Sequence, residues 1–355
     1  MKYWSGTVSK LHSTLASSSK FEVKDIVVEE GSIHNLIYKV LRLVSLKKNE
    51  LSFLMSLVDT KKAVSMIEKS DCEIIFAPAC SRVVYAGRKA LKGKRLFYLS
   101  DATYHKMLGY YYNHSAHDQK VGNAWEQNAH NLAEKVIIPA GWAYEDAISF
   151  YGDSSDKISI LKFGANMEEE GYKVVDVDKD VFKILLVGVD WERKGIDIAI
   201  KAVELLNETG VAKFELNVIG VNKPEKEFPE YIHFYGRLNK NVPEENAKLK
   251  ACYMENDIFL MPTKAECAGI VFAESAMYGI PSFTYATGGT VDYVEDGVTG
   301  RCLDIKASAE DFKDAILESI TSKKLKDYSI NARKKYEDEL NWNVWREKFE
   351  RLVET

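Results

Sequence analysis

Between Asp257 and Tyr285 the chain reads strand, loop, helix, strand with no spare residues, and this unit restricts the fold more than any other feature. Asp257-Ile-Phe-Leu-Met261 is a near-continuous apolar run, as expected of a strand buried on both faces. Pro262 ends it, Gly269 stands where a helix opens, and residues 280–285 read as the next strand. That order is the building block of a parallel α/β sheet. The same junction is an anion site, because the first amides of a helix have no intrahelical acceptor and the dipole there is positive. Glu266 falls in the loop and Glu274 about one turn into the helix, where a carboxylate can reach a diol beside bound phosphates.

The pattern repeats along the chain. In the first half β-rich runs occur at residues 21–28, 73–77, 95–100, 135–139 and 158–163. In the second half they occur at 182–189, 214–220, 233–235, 257–261, 280–285 and 300–303. Helix-period segments separate them, so the expected class is α/β with two Rossmann-like domains facing across a cleft. Residues 168–180 are acidic, lack a core-building pattern and read as the linker. The expected domains are 1–166 and 181–339, with an aromatic-faced helix at about 340–355, carrying Trp345 and Phe349, packed back on the first. No repeat of fixed period and no low-complexity segment stands out.

The 355 residues suffice for two domains, and an apolar content of 46% lets each bury a core. A net charge of −5 disfavours a general nucleic-acid binder. The five Cys are scattered, with no C-x-x-C pair, as in a reduced, cytoplasmic protein without a disulfide framework or zinc site. Cys267 lies in the key loop but reads as a small apolar filler, since no His neighbours it in sequence. The start shows no apolar signal segment, and no run is long enough to span a bilayer. No G-x-G-x-x-G follows a strand and no P-loop occurs, which argues against a dinucleotide dehydrogenase and a P-loop enzyme.

A second junction matches the first. Residues 184–188 form a strand ending at Gly188, and Arg193-Lys194-Gly195 follow in the loop before a helix. A guanidinium and an ammonium at a strand's carboxyl end supply the bidentate donor and the point charge that a diphosphate needs. A basic, solvated turn is the bland alternative. Together with Tyr235-Gly236-Arg237-Leu238, the Glu266-x7-Glu274 pattern and Gly288, Gly289, Asp292, Gly297 and Gly300, this series resembles the retaining glycosyltransferases of the GT-B fold, family 4. Asp101 with the residues around it, and Gly141, Trp142, Tyr151 and residues 163–166, resemble the acceptor-side domain of the same family.

The resemblance implies transfer of a hexosyl group from a UDP- or GDP-sugar to a glycan or lipid-linked glycan acceptor, with retention at the anomeric carbon. It implies a setting in polysaccharide biosynthesis. Glu274 would hold the ribose diol and Glu266 the donor sugar. The amides of Gly269, Ile270 and Val271 would face the distal phosphate, with Gly188 beside the diphosphate. Leu238 would meet the base through its backbone. Arg193 and Lys194 would oppose the charge on the leaving phosphate. No cofactor and no metal are expected, since no His/Cys cluster has ligand spacing.

In the first half Asp101 ends a strand where relatives place a sugar-contacting His, and His105 follows one turn later; both are candidates. Tyr110, Tyr111 and Tyr112 could form a sugar platform or simply pack. Leu36, Val40, Leu43 and Val44 recur at helical spacing among Lys39, Arg42, Lys47 and Lys48, a pattern that suits either packing or peripheral contact with anionic lipid. A homo-oligomer stays open. The residues Trp4-Ser5-Gly6-Thr7 resemble the loop that follows the first strand in relatives, which leaves that strand without residues. The expectation is therefore a first domain lacking its first strand, or a chain that begins upstream. Two competing readings follow: a catalytically weak subunit acting with a partner, and a nucleotide-sugar epimerase or phosphorylase of the same fold.

Overall fold

A computed structural model describes residues 6–27 and 48–355, with side chains of the second stretch taken from Leu57 onward. Two compact units emerge. One gathers Leu161–Thr355, Pro139–Trp142 and nearly all of the first helix; the other holds the described residues between Ala16 and Ile138 together with Ala143–Ile160.

The larger unit is built on a six-stranded parallel sheet: β5 (Val181–Val187), β6 (Lys213–Ile219), β7 (Ile232–Phe234), β8 (Ile258–Met261), β9 (Ser282–Tyr285) and β10 (Gly300–Leu303). Their order is β10-β9-β8-β5-β6-β7. The sequence runs outward in one direction from β5 to β7, then returns to β8 on the other side of β5. The reversal falls between β5 and β8, which pair through Ile184–Ile258 and Leu185–Phe259. In open parallel sheets the ligand crevice lies outside the carboxyl ends of the two strands at such a reversal.

Apolar side chains explain the sheet. Phe182, Ile184, Leu186, Phe214, Leu216, Val218, Ile258, Leu260 and Phe283 are buried in one cluster with Ile196, Ala199, Val203 and Leu206 of α7 (Ile196–Glu208). Phe182 and Phe214 stack at 5.7 Å. Burying each such side chain contributes on the order of 1.5–3 kcal/mol, so the sheet is held chiefly by this layer. The short α10 (Thr290–Tyr293) precedes β10, and α11 (Ala309–Thr321), whose start is fixed by a reciprocal Ser308–Asp311 capping box, and α12 (Lys324–Asp338) follow it.

The linker is fastened rather than loose. Arg333 of α12 pairs with Glu169 and Glu337 and donates to the Met277 carbonyl at 2.6 Å, and Lys250 pairs with Glu170 at 2.6 Å. The terminal helix α13 (Trp342–Glu354) sits on residues 163–165: Trp342 Nε1 donates to the Ala165 carbonyl at 3.0 Å and stacks on Phe163.

The smaller unit holds a four-stranded parallel sheet in the order β1-β2-β3-β4: β1 (Ile74–Pro78), β2 (Arg95–Leu99), β3 (Lys135–Ile138) and β4 (Ile158–Ile160). Its helices are α2 (Lys48–Lys69), α3 (Ser81–Ala86), α4 (Tyr104–Met107), α5 (Ala116–Leu132) and α6 (Tyr144–Ser149). A strand was expected at 21–28, yet residues 21–27 are irregular. Ile26 and Val27 are exposed and Phe21 and Val23 only half-buried, so the run has too little to bury to gain from a ladder. Thr7 begins α1 (Thr7–Ala16), and its hydroxyl accepts a hydrogen bond from Asn166 at 3.1 Å. Trp4, Ser5, and the apolar stripe at Leu36, Val40, Leu43 and Val44 lie outside the described residues.

Candidate active site

The loops after β5 and β8 are stitched into one structure. Gly188 closes β5, its amide bonded to the Ile219 carbonyl at 2.8 Å, and a Cβ there would stand 2.7 Å from Lys194 Cγ. Gly195 starts α7 at φ 67, and a side chain on it would collide with the Pro262 carbonyl. This close approach brings the basic loop against the acidic one. The Lys264 amide donates to the Arg193 carbonyl at 2.7 Å, and Arg193 Nη1 donates to the Ala265 carbonyl at 3.0 Å. The Lys194 ammonium pairs with Glu266, and Arg193 Nη1 lies 3.8 Å from the same carboxylate. Lys194 is buried, so its charge requires this partner.

The loop after β9 adds a third side. Gly289 donates its amide to the Glu266 carbonyl at 2.9 Å. Trp142 Nε1 donates to the Cys267 carbonyl at 2.9 Å, and the Gly141 amide donates to Asp292 at 3.0 Å. Burial raises the Asp292 carboxyl pKa above its ordinary value, against the lowering effect of that amide. Cys267 is buried.

Gly269 caps α9 (Ile270–Met277) at φ 70, a left-handed conformation that suits glycine, and no side chain caps the helix. The amides of Gly269, Ile270 and Val271 thus open the helix without an acceptor inside it. Ile270 and Val271 are half-buried. Glu274 is 1% exposed on the same helix; its Oε2 accepts from the Tyr253 hydroxyl at 3.0 Å and its Oε1 pairs with Lys240. Tyr253 lies on α8 (Pro243–Glu255), and burial followed by the Glu274 charge pushes its pKa up, which keeps it a neutral donor. Leu238 is half-buried in the irregular segment after β7, beyond Gly236, whose carbonyl accepts from the Gly220 amide at 2.8 Å.

The geometry therefore gathers Gly188, Arg193, Lys194, Glu266, Gly269, Ile270, Val271 and Glu274 at the sheet's reversal, a place where anionic and hydroxylated ligands can both be held. Tyr253 and Lys240 were not expected there. Nothing near Glu274 in sequence points to either, because α8 and the turn before it reach the site only through the fold.

In the smaller unit Asp101 is half-buried just past β2, and His105 lies on the short α4, which Thr103 caps. His105 Nδ1 is 2.7 Å from Asp146, its ring stacks on Phe150 at 3.7 Å, and its backbone amide donates to the Tyr151 hydroxyl at 3.1 Å. Asp146 also accepts from Thr103. Sequence reasoning found His105 but neither Asp146 nor Phe150. Of the three consecutive tyrosines, Tyr112 stacks on His114 at 4.5 Å.

Asp176, Asp178 and Asp180 have Asp-x-Asp spacing in the linker, where Asp178 pairs with Lys323 at 2.8 Å. Among the described residues, no group of three or more His, Cys, Asp and Glu side chains is arranged to hold a metal ion, and no helix is long and apolar enough to cross a membrane.

Residues 168–336 match the family model described as glycosyl transferases group 1. The lipopolysaccharide glucosyltransferase WaaG of Escherichia coli K12 is 30% identical over 152 residues, which is 42% of this chain and 40% of that protein. The chain spans about half the length of the first curated relatives it matches. Among solved structures, the lipopolysaccharide outer core galactosyltransferase WaaB aligns with a TM-score of 0.66 at 16% identity, over 99% of this chain and 96% of that one. Anabaena HepE, solved with UDP and glucose, aligns at a TM-score of 0.62 and 14% identity over 93% and 98%. The fold is the GT-B fold of these solved structures, and residues 168–336 are similar to the glycosyl transferases group 1 model.

Proposed function

We propose that the chain is a retaining hexosyltransferase of family 4 that moves a sugar from a UDP- or GDP-sugar to a glycan or lipid-linked glycan acceptor. The observation that carries this reading is the sheet reversal between β5 and β8. There a buried Lys194–Glu266 pair lies in the loops beside the open first turn at Gly269, and Glu274 stands one turn deeper. The glucosyl- and galactosyltransferase names of WaaG and WaaB and the UDP and glucose bound by HepE support a sugar nucleotide as donor, and the first two names suit a surface-glycan setting.

In the proposed reaction the bond between the anomeric carbon and the diphosphate oxygen breaks, and its electron pair goes to the phosphate. Arg193, Lys194 and the amides of Gly269, Ile270 and Val271 oppose that charge as it develops. Glu266 holds Lys194 in place beforehand, so the site need not reorganise, and it offers its carboxylate to the sugar hydroxyls. The leaving phosphate takes the acceptor's proton, and the acceptor oxygen bonds to the face that the phosphate left. Glu274 anchors the ribose and Leu238 the base. The reading calls for no metal and no cofactor, and it places Asp101 and His105 on the donor sugar.

Thermal unfolding with UDP, GDP, ADP and their sugar conjugates tests it. A ligand at about 100 times its Kd stabilises by roughly 2.7 kcal/mol, a shift of several degrees. UDP or GDP should produce that shift and Glu274→Ala should remove it, since hydrogen bonds to a charged group contribute about 1.5–3 kcal/mol each. A wild type indifferent to all nucleotides overturns the reading. The anomeric configuration of the product, read by NMR, tests retention.

A further inference from the structure

The two oxygens of Glu274 have partners of unequal permanence. Tyr253, which holds Oε2, is fully buried, and its ring stacks on Tyr278 at 5.3 Å and on Phe259 at 6.3 Å. It can leave only by unpacking the core. Lys240, which holds Oε1, sits on the turn between β7 and α8, with its side chain one-third exposed. That turn is tied down beside it, where the Asn239 amide donates to Glu245 at 2.6 Å and the Asn241 amide donates to Asn239 Oδ1 at 3.0 Å. The backbone of the turn is thus held while a flexible four-carbon stem carries the charge, so the ammonium can swing into water without unfolding anything.

We propose that Lys240 is an exchangeable counter-ion of Glu274, displaced by the ribose hydroxyls of an arriving nucleoside diphosphate, and that it sets how strongly the site discriminates a ribose. The inference rests on the reading of Glu274 as the ribose acceptor. A carboxylate this buried needs a partner while the site is empty, and Lys240 supplies one. A ribose diol donates two hydrogen bonds and can replace it. Tyr253 stays bound throughout and fixes the direction in which Oε1 points, which makes it a positioning residue. Leu238 lies two positions before Lys240, so release of the lysine and contact with the base occur on one short segment.

Calorimetric titration of the full chain at pH 8 with UDP and GDP, and with the 2′,3′-dideoxy form of each, tests the exchange. In Lys240→Met, the nucleotide that binds should bind more tightly by about fivefold or more, while its dideoxy form should stay within about twofold of the wild type. Lys240→Arg should restore wild-type discrimination, because it restores the charge. In a Glu274→Gln background, Lys240→Met should have no effect on either ligand. An equal shift for both ligands, weaker binding of the ribose ligand, or an effect that persists without the Glu274 charge overturns the exchange. If the wild type binds ribose and dideoxy forms equally, the ribose assignment of Glu274 falls as well. If it binds neither UDP nor GDP, the nucleotide-site reading itself is what fails.

Discussion

Two clusters of buried charge, one in each unit, differ in how far their members reach solvent. In the six-stranded unit, Lys194, Glu266, Glu274 and Lys240 lie beyond the carboxyl ends of the strands, paired but next to loops and a partly exposed ammonium. In the four-stranded unit, one cluster of charges is almost sealed, with Lys157, 3.6 Å from Asp153, reaching towards solvent. His130 is 1% exposed, with Nδ1 2.5 Å from Asp153 and Nε2 3.6 Å from Glu126. The Tyr98 hydroxyl donates to Glu126 at 2.7 Å, and Tyr151 stacks on the His130 ring at 4.5 Å. Both arrangements satisfy the rule that a buried charge must be paired. The first holds a buried carboxylate, Glu274, against an ammonium that is one-third exposed.

Three measurements break or sharpen this contrast. The largest effect is expected at Lys194. If its charge acts on the leaving phosphate, Lys194→Met should lower kcat by about 100- to 1000-fold, the scale of losing one preorganised donor to a developing anion. Steady-state kinetics showing a raised KM with kcat intact would instead make it a ground-state anchor.

A smaller effect is expected at Asp146, which holds Nδ1 of the more exposed histidine, His105. Asp146→Asn should lower kcat/KM by about tenfold, near the low end for a charged hydrogen bond. Unchanged steady-state kinetics would reduce the His105–Asp146 contact to packing.

The smallest effect, and the one that defines the almost sealed cluster, is at His130. Burial by itself would lower its pKa, but hydrogen bonds to Asp153 and Glu126, with their charges, outweigh it and raise the pKa above the usual 6.5. A raised folded pKa means a stabilising contribution that is fully present below 6.5 and lost as pH climbs through the raised value. An NMR titration, with the His130 signal identified by its loss in His130→Gln, should give a midpoint above 6.5. A midpoint below 6.5 would mean that burial wins, and that the cluster holds a neutral ring.

Much of this was legible in the residues. Apolar runs such as 257–261 and 182–187 are strands because nothing else buries them so completely, and Pro262, Gly195 and Gly269 punctuate them where turns must form. Residues 21–27 show where such reading breaks down: a β-rich run becomes a strand only if one face has something to pack against. The Gly188, Arg193–Lys194 and Glu266–Glu274 positions were likewise legible, because their chemistry and their place after strands appear in local sequence.

What the sequence determined by itself was local: which segments become strands, which loops carry charge, and where helices open. The tertiary structure alone decided which loops meet. β5 pairs with β6 on one side and with the distant β8 on the other, and this second pairing brings Lys194 to Glu266 across 72 positions of chain. The same long-range packing brings Lys240 and Tyr253 to Glu274 and Asp146 to His105. Such partners leave no local periodicity to read, because the free energy that selects them comes from burying whole faces of sheet and helix, not from the residues that end up touching.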